Sequence, residues 1–214
     1  MAKVTLENLN KIFVSKIGKD VKAVNDFNLL LEDGEILALL GSSGCGKTTT
    51  LRMIAGFETA TSGQIKIGER IVNDLKPADR NVAMAFEGYA LYPPLTVKDN
   101  IAFSLMREKI SKDKVDSKVM EVAELLEITD ILERYPPSIS GGQQQRVSLA
   151  RALVRDSDAL LLDEPMSQLE PQLRAVLRAR VKDYIQHNNK TVIFVTHDQT
   201  CLLYTSPSPR DLYR

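Results

Sequence analysis

Glu35-Ile36-Leu37-Ala38-Leu39-Leu40-Gly41-Ser42-Ser43-Gly44-Cys45-Gly46-Lys47-Thr48 is the stretch that decides how the rest of this 214-residue chain is read. It opens on a short, nearly continuous apolar run, which suits a strand buried on both faces. From Gly41 it matches GxxxxGK[ST] in full, and a helical segment follows from Thr49 to about Gly56. Strand, glycine-rich turn and helix in that order make a phosphate cradle. The glycines let successive backbone N–H groups turn inward, and the helix N-terminus adds positive potential. Lys47 is placed to reach the outer phosphates of a nucleotide, and the Thr48 hydroxyl to ligate Mg²⁺. The candidate nucleotide contacts are therefore Gly41, Ser42, Ser43, Gly44, Cys45, Gly46, Lys47, Thr48 and Thr49.

Working outward, strand and helix signals alternate. Gln64–Gly68 alternates apolar and polar residues, while Val82–Phe86, Ala159–Asp163 and Thr191–Thr196 read as buried strands. Val115, Val119, Val122 and Leu126 recur at helical spacing behind a Ser111 cap. Leu173, Val176, Leu177, Val181 and Tyr184 do the same after Pro171, a residue suited to a first helical turn. This alternation predicts an α/β fold with a mostly parallel sheet flanked by helices. About residues 88–155 carry no strand signal and read as an inserted helical sub-domain.

Composition bounds the function. Apolar residues make up 43% and charged residues 26%, as in an average globular protein. The 28 basic and 28 acidic residues cancel, which argues against nucleic acid as a partner held by general electrostatic attraction. No apolar run approaches the ~20 residues that span a bilayer, and Met1–Leu6 has no signal-peptide core. Cys45 and Cys201 are too few for a disulfide framework or a zinc site.

Two further motifs carry chemistry. In Ala159-Leu160-Leu161-Leu162-Asp163-Glu164-Pro165 a carboxylate ends a buried strand, which suits Asp163 as a Mg²⁺ ligand beside the first motif. Glu164 is next to it and able to orient or deprotonate an attacking water. Alone, such an acidic pair is usually a solvated strand end; beside a phosphate loop it gains a role. Ser140-Gly141-Gly142-Gln143-Gln144-Gln145-Arg146 precedes a helical run through Val147, Leu149, Ala150 and Leu153, and offers a second anion-binding design at a helix start. One nucleotide needs one cradle, so the second requires an explanation.

Ile139-Ser140-Gly141-Gly142-Gln143 resembles the LSGGQ signature of ABC ATPases, and its distance upstream of Asp163-Glu164 fits that family. The resemblance covers about residues 1–200. It implies a P-loop NTPase fold with an N-terminal antiparallel β sub-domain and the helical insertion, with ATP and Mg²⁺ as ligands. It further implies that Phe13 stacks on adenine, that His197 contacts the γ-phosphate, and that Glu87 takes the place of a glutamine that helps hold Mg²⁺ and the attacking water. Ser140, Gly141, Gly142 and Gln143 would meet the ATP of a second chain in a head-to-tail homodimer or pseudo-dimer, which accounts for two cradles. Binding ATP would close that dimer and hydrolysis would release it. Glu87, with Glu170 where the family usually has Asp, departs from the pattern and is expected to weaken hydrolysis rather than abolish it.

Gly88-Tyr89-Ala90-Leu91-Tyr92-Pro93-Pro94-Leu95-Thr96-Val97 resembles the stretch by which importer subunits for sugars and glycerol phosphate face their membrane partners. The expectation is a peripheral motor on the cytoplasmic face of the inner membrane. It would act on transmembrane permease subunits and, through them, on an extracytoplasmic solute-binding protein. Two alternatives remain at this point: an ABC ATPase outside transport, and a truncated ATP binder without turnover. The segment 201–214 departs from the family and resembles translated adapter DNA joined to a truncated reading frame. Pro207 and Pro209 forbid a continuous helix there. The expectation is of an ATPase domain truncated at its C-terminal end, without the regulatory domain that the family often carries.

Overall fold

Alternation of apolar and polar residues builds the first sheet, and two breaks in that alternation shape it. The protein is described here by a computed structural model covering residues 2–15, 18–86, 88–106, 108 and 110–196. In chain order its elements are β1 (Val4–Phe13), β2 (Val21–Leu31), β3 (Ile36–Leu39), α1 (Lys47–Ala55), β4 (Ser62–Ile67), β5 (Arg70–Ile71) and β6 (Val82–Ala85). There follow α2 (Val97–Phe103), α3 (Lys112–Leu125), α4 (Gly141–Leu153), β7 (Ala159–Asp163), α5 (Pro171–His187) and β8 (Val192–Val195). The chain forms two units. One holds Met1–Val82, Ser157–Asp163 and the described part of Asn188–Arg214; the other holds Ala83–Asp156 and Glu164–His187.

The first unit contains an antiparallel sheet in the order β2-β1-β4-β5. Val4 and Leu6 of β1 face inward, but the next inward residues are Leu9 and Lys11, an odd-numbered set. The switch occurs at a register shift between Leu6 and Leu9, where Asn8 has φ 48°. Asp26, with φ 46°, marks the matching irregularity in β2 between buried Val24 and buried Leu29. Asn8 donates to Asp26 and Asn28 accepts from the Asn8 N–H, both at 2.8 Å, so short polar side chains satisfy the backbone where the ladder breaks.

The parallel sheet of this unit runs β3-β8-β7, with Ile36–Leu39 paired to Val192–Val195 and Leu160–Asp163 paired to the same strand. Every residue of β7 and β8 is buried, as expected of strands covered on both faces. Burying each Leu or Ile in such a strand contributes roughly 1.5–3 kcal/mol relative to exposure. Helix α1 starts at Lys47, so Lys47 and Thr48 lie in its first turn rather than before it. It stops at Gly56, which caps it with φ 85°. The carbonyls of Met53 and Ile54 accept from Arg80 Nη1 at 2.7 and 3.1 Å. The same guanidinium reaches Leu75 O and Asn73 O, each at 2.9 Å. Arg80 is 3% exposed, and burial lowers its pKa from the ordinary value. A Cβ on Gly56 would stand 2.5 Å from Arg80 Nε, so only glycine fits there.

The second unit is helical. Helices α2 and α3 both pack on α4, and α3 also meets α5. Among the described residues of 88–155 there is no strand. Helix α3 buries Val119, Val122 and Ala123, whereas Val115 is only half-buried. Ser111 occupies the cap position, yet its hydroxyl makes no capping bond, which corrects the sequence expectation. A second correction concerns α5. Its buried stripe is Leu177, Val181 and Ile185, spaced four residues apart, while Val176 stands 46% exposed beside that narrow stripe.

Candidate functional site

The loop between β3 and α1 owes its shape to two left-handed glycines. Gly44 has φ 81° and Gly46 has φ 96°. A Cβ on Gly46 would lie 2.2 Å from the Ala23 carbonyl oxygen, so the β2 backbone closes that position to any side chain. Lys47 folds back across the loop and donates to Gly41 O at 2.7 Å and Ser42 O at 2.8 Å, with Cys45 Sγ at 3.6 Å. These partners are neutral, so the ammonium charge is concentrated where the loop amides and the α1 N-terminus also favour an anion. Ser42, Ser43, Gly44, Cys45 and Thr48 are exposed around it, and Thr49 is half-buried.

The second motif meets the first within this unit. Thr48 Oγ1 donates to Asp163 Oδ1 at 3.0 Å, and Asp163 is only 3% exposed at the end of β7. Octahedral Mg²⁺ takes oxygen ligands at about 2.0–2.1 Å, which places two adjacent ligands about 3.0 Å apart. The hydroxyl and carboxylate therefore already have the spacing of one edge of a Mg²⁺ octahedron, and the oxygen donor set suits that hard cation. Phe13, the last residue of β1, is 42% exposed, so it is not a core residue. The Lys11 ammonium lies 4.8 Å from its ring centroid.

In the second unit, Ser140 caps α4. Its hydroxyl oxygen accepts from the Gln143 N–H at 3.3 Å, and Gln143 Oε1 accepts from the Ser140 N–H at 2.9 Å. This reciprocal capping box explains the Ser-x-x-Gln spacing physically. Because the Ser140 hydroxyl oxygen is the acceptor in that bond, its O–H is still able to donate to an anion. Gly142 lies so close to the 167–169 segment that a Cβ would be 3.3 Å from Leu169 Cδ2 and 3.4 Å from Gln168 O. Glu164, half-buried with φ 50°, begins that segment. Pro165 follows the strand end, as its missing N–H requires.

Two functional-site residues escaped sequence reasoning. Gln145 is 1% exposed, although a third consecutive glutamine reads as a solvated helix face. Its Nε2 donates to Glu164 O and Ser167 Oγ, both at 3.0 Å, and its Oε1 accepts from Gln168 N–H at 2.9 Å. Asn100, fully buried, donates to the carbonyls of Tyr92, Leu95 and Thr96 and accepts from Tyr92 N–H. It thereby fixes the 89–96 stretch. Tyr89 and Ala90 there adopt φ 60° and 48°, and Arg151 donates to Ala90 O at 2.6 Å. Tyr92 remains 41% exposed, its ring 4.7 Å from that of Phe103, itself 43% exposed. Neither amide stands out without the fold, since Gln145 ends a run of glutamines before Arg146 and Asn100 follows Lys98 and Asp99. Glu87, His197 and residues 201–214 lie outside the described residues.

The fold agrees with that of solved relatives. The family model described as ABC transporter matches residues 24–167. This chain belongs to the ABC transporter family. It is 47% identical over 199 residues to the sn-glycerol-3-phosphate import ATP-binding protein of Ruegeria pomeroyi, covering 93% of this chain and 55% of that protein. It is 49% identical over 205 residues to the trehalose/maltose import ATP-binding protein of Thermococcus litoralis, covering 93% and 54%. The chain thus spans about half the length of the curated relatives it matches. Among solved structures, a dimeric bacterial ABC transporter cassette superposes with a TM-score of 0.87 at 27% identity, covering 94% of this chain and 91% of that one. A dimeric ATP-binding cassette in a post-hydrolysis state bound to ADP and phosphate superposes with a TM-score of 0.86 at 28% identity, with the same coverage. Among the described residues no helix is long and apolar enough to cross a membrane.

Proposed function

We propose that this chain is the ATP-binding and ATP-hydrolysing motor of an importer for glycerol phosphate, sugars or related solutes. The observation that carries the reading is the Thr48–Asp163 hydrogen bond at 3.0 Å, which joins the phosphate loop to the buried strand carboxylate. Backbone amides from Gly41 to Thr49 wrap the phosphates of ATP, with Lys47 turning from the loop carbonyls to the outer phosphates. Thr48 and Asp163 would hold Mg²⁺, with Glu87 as a further oxygen donor. Bound there, Mg²⁺ neutralises charge that gathers on the phosphate oxygens. Glu164 accepts the proton of the attacking water or orients it, His197 contacts the γ-phosphate, and Phe13 offers its exposed ring to adenine.

Ser140, Gly141, Gly142 and Gln143 serve the nucleotide of a second copy in a head-to-tail dimer. Support comes from the cap geometry, which leaves the Ser140 hydroxyl hydrogen for a phosphate oxygen, and from the dimeric relatives of known structure. The exposed Tyr92 and Phe103 rings offer a docking face for permease subunits, which supports a motor working at the cytoplasmic face of the membrane. An extracytoplasmic solute-binding protein acts on it only through those subunits. Import by the relatives, named for glycerol 3-phosphate and trehalose/maltose, supports this solute range. The test is Mg²⁺-dependent phosphate release from ATP by the purified chain beside Glu164→Gln. Turnover that the substitution abolishes supports the proposal. ATP binding without turnover in either protein contradicts the motor and supports a nucleotide binder.

A further inference from the structure

Resting on that reading, we infer that Gln145 is a positioning residue that makes the signature helix and the Glu164 segment move as one body. The geometry begins with burial. A primary amide that is 1% exposed must place two donors and an acceptor, and Gln145 does so entirely on the segment 164–168. One donor holds the carbonyl of Glu164 itself, the proposed base; the other holds the Ser167 hydroxyl, and the acceptor holds the Gln168 N–H. Gln145 stands on α4 only two residues beyond Gln143, the N3 partner of the Ser140 cap. The path of contacts from Ser140 to Glu164 thus runs through one helix turn and one buried amide.

Two other features tighten the same join. Gly142 packs closely on the same segment, where a Cβ would stand 3.3 Å from Leu169 Cδ2 and 3.4 Å from Gln168 O. The Glu164 backbone sits at φ 50°, an unfavourable conformation for a residue with a Cβ, which surrounding bonds must hold in place. The Gln145 amide supplies one such bond at the Glu164 carbonyl. A movement of the α4 N-terminus, as when Ser140 and its neighbours engage a phosphate of a second copy, is therefore carried directly to the main chain of Glu164. Gln145 acts through the backbone it holds.

The experiment compares the parent chain with Gln145→Leu, which keeps the side-chain volume and removes every polar contact, and with Ser167→Ala, which removes one contact at an exposed position. ATP affinity, steady-state turnover and hydrogen exchange over 164–169 are measured on each. For Gln145→Leu the expected result is a turnover number lowered roughly 10- to 100-fold, because a displacement near 1 Å of a catalytic group has that effect. ATP affinity should stay within about twofold and exchange at Gln168 should rise. Ser167→Ala should lower turnover by less, and combining the two should add little to Gln145→Leu alone, since both act through the same join. Unchanged turnover in Gln145→Leu, or a loss matched by equal loss of affinity, overturns the inference. A parent chain that fails to hydrolyse ATP overturns the proposed function instead; unchanged exchange at Gln168 would then still overturn the join.

Discussion

Arg80→Met tests how much of the phosphate-loop helix depends on a single buried cation. The guanidinium makes four hydrogen bonds to main-chain carbonyls of Met53, Ile54, Asn73 and Leu75, at 2.7–3.1 Å. Each bond from a charged donor contributes about 1.5–3 kcal/mol, but bonds to one group are not additive. Methionine has a similar length and no donor, so the substitution leaves carbonyls at the α1 C-terminus without their partner in a site that is 3% exposed. Buried carbonyls deprived of their donor cost about 1–3 kcal/mol each, which for several such groups that do not add fully gives about 3–5 kcal/mol. For a domain of this size each kcal/mol moves Tm by about 2–4 °C, so thermal unfolding followed by circular dichroism should fall by roughly 6–20 °C. Arg80→Lys should recover only part of the loss, because a point charge cannot reach four carbonyls in a planar fork. A Tm within about 2 °C of the parent for Arg80→Met would refute the reasoning.

Two more outcomes follow from single contacts. Gly46→Ala places a Cβ 2.2 Å from Ala23 O at φ 96° and should abolish binding of a fluorescent ATP analogue; affinity within twofold of the parent would show that the loop adapts. Lys11 hydrogen-bonds the Glu58 carboxylate at 2.7 Å and holds it below the usual glutamate range. Because the folded value is depressed, this pair stabilises above the unfolded pKa and the contribution is lost as pH falls through the folded one. Urea unfolding of Lys11→Met should therefore show less loss of stability on acidification than the parent, and an identical acid limb would contradict the pairing.

What was legible in the sequence follows the range of the physics. The loop after β3 was readable because glycine spacing, a lysine and a hydroxyl residue are local requirements of phosphate binding, and β7 because five consecutive buried residues leave no polar face. The antiparallel sheet came only through family resemblance. In β1 and β2 the period of two is broken at Asn8 and Asp26, so no single window alternates cleanly. Gln145 and Asn100 were invisible for the opposite reason. Gln145 bonds a segment distant in sequence, 19 residues away at Glu164. Asn100 bonds main-chain groups only four to eight residues earlier, but a polar residue on a helix reads as solvated until the loop is seen to fold back over it. Val176 was misread because helical spacing defines a stripe, while the neighbours that cover it decide the stripe's width.

Phosphate release from ATP by the purified chain, with Mg²⁺ and with the metal chelated, tests the central claim most directly. Turnover that requires Mg²⁺ and disappears in Glu164→Gln, while ATP binding persists, is the result the Thr48–Asp163 geometry predicts. Turnover that survives chelation, or that Glu164→Gln leaves intact, would contradict it.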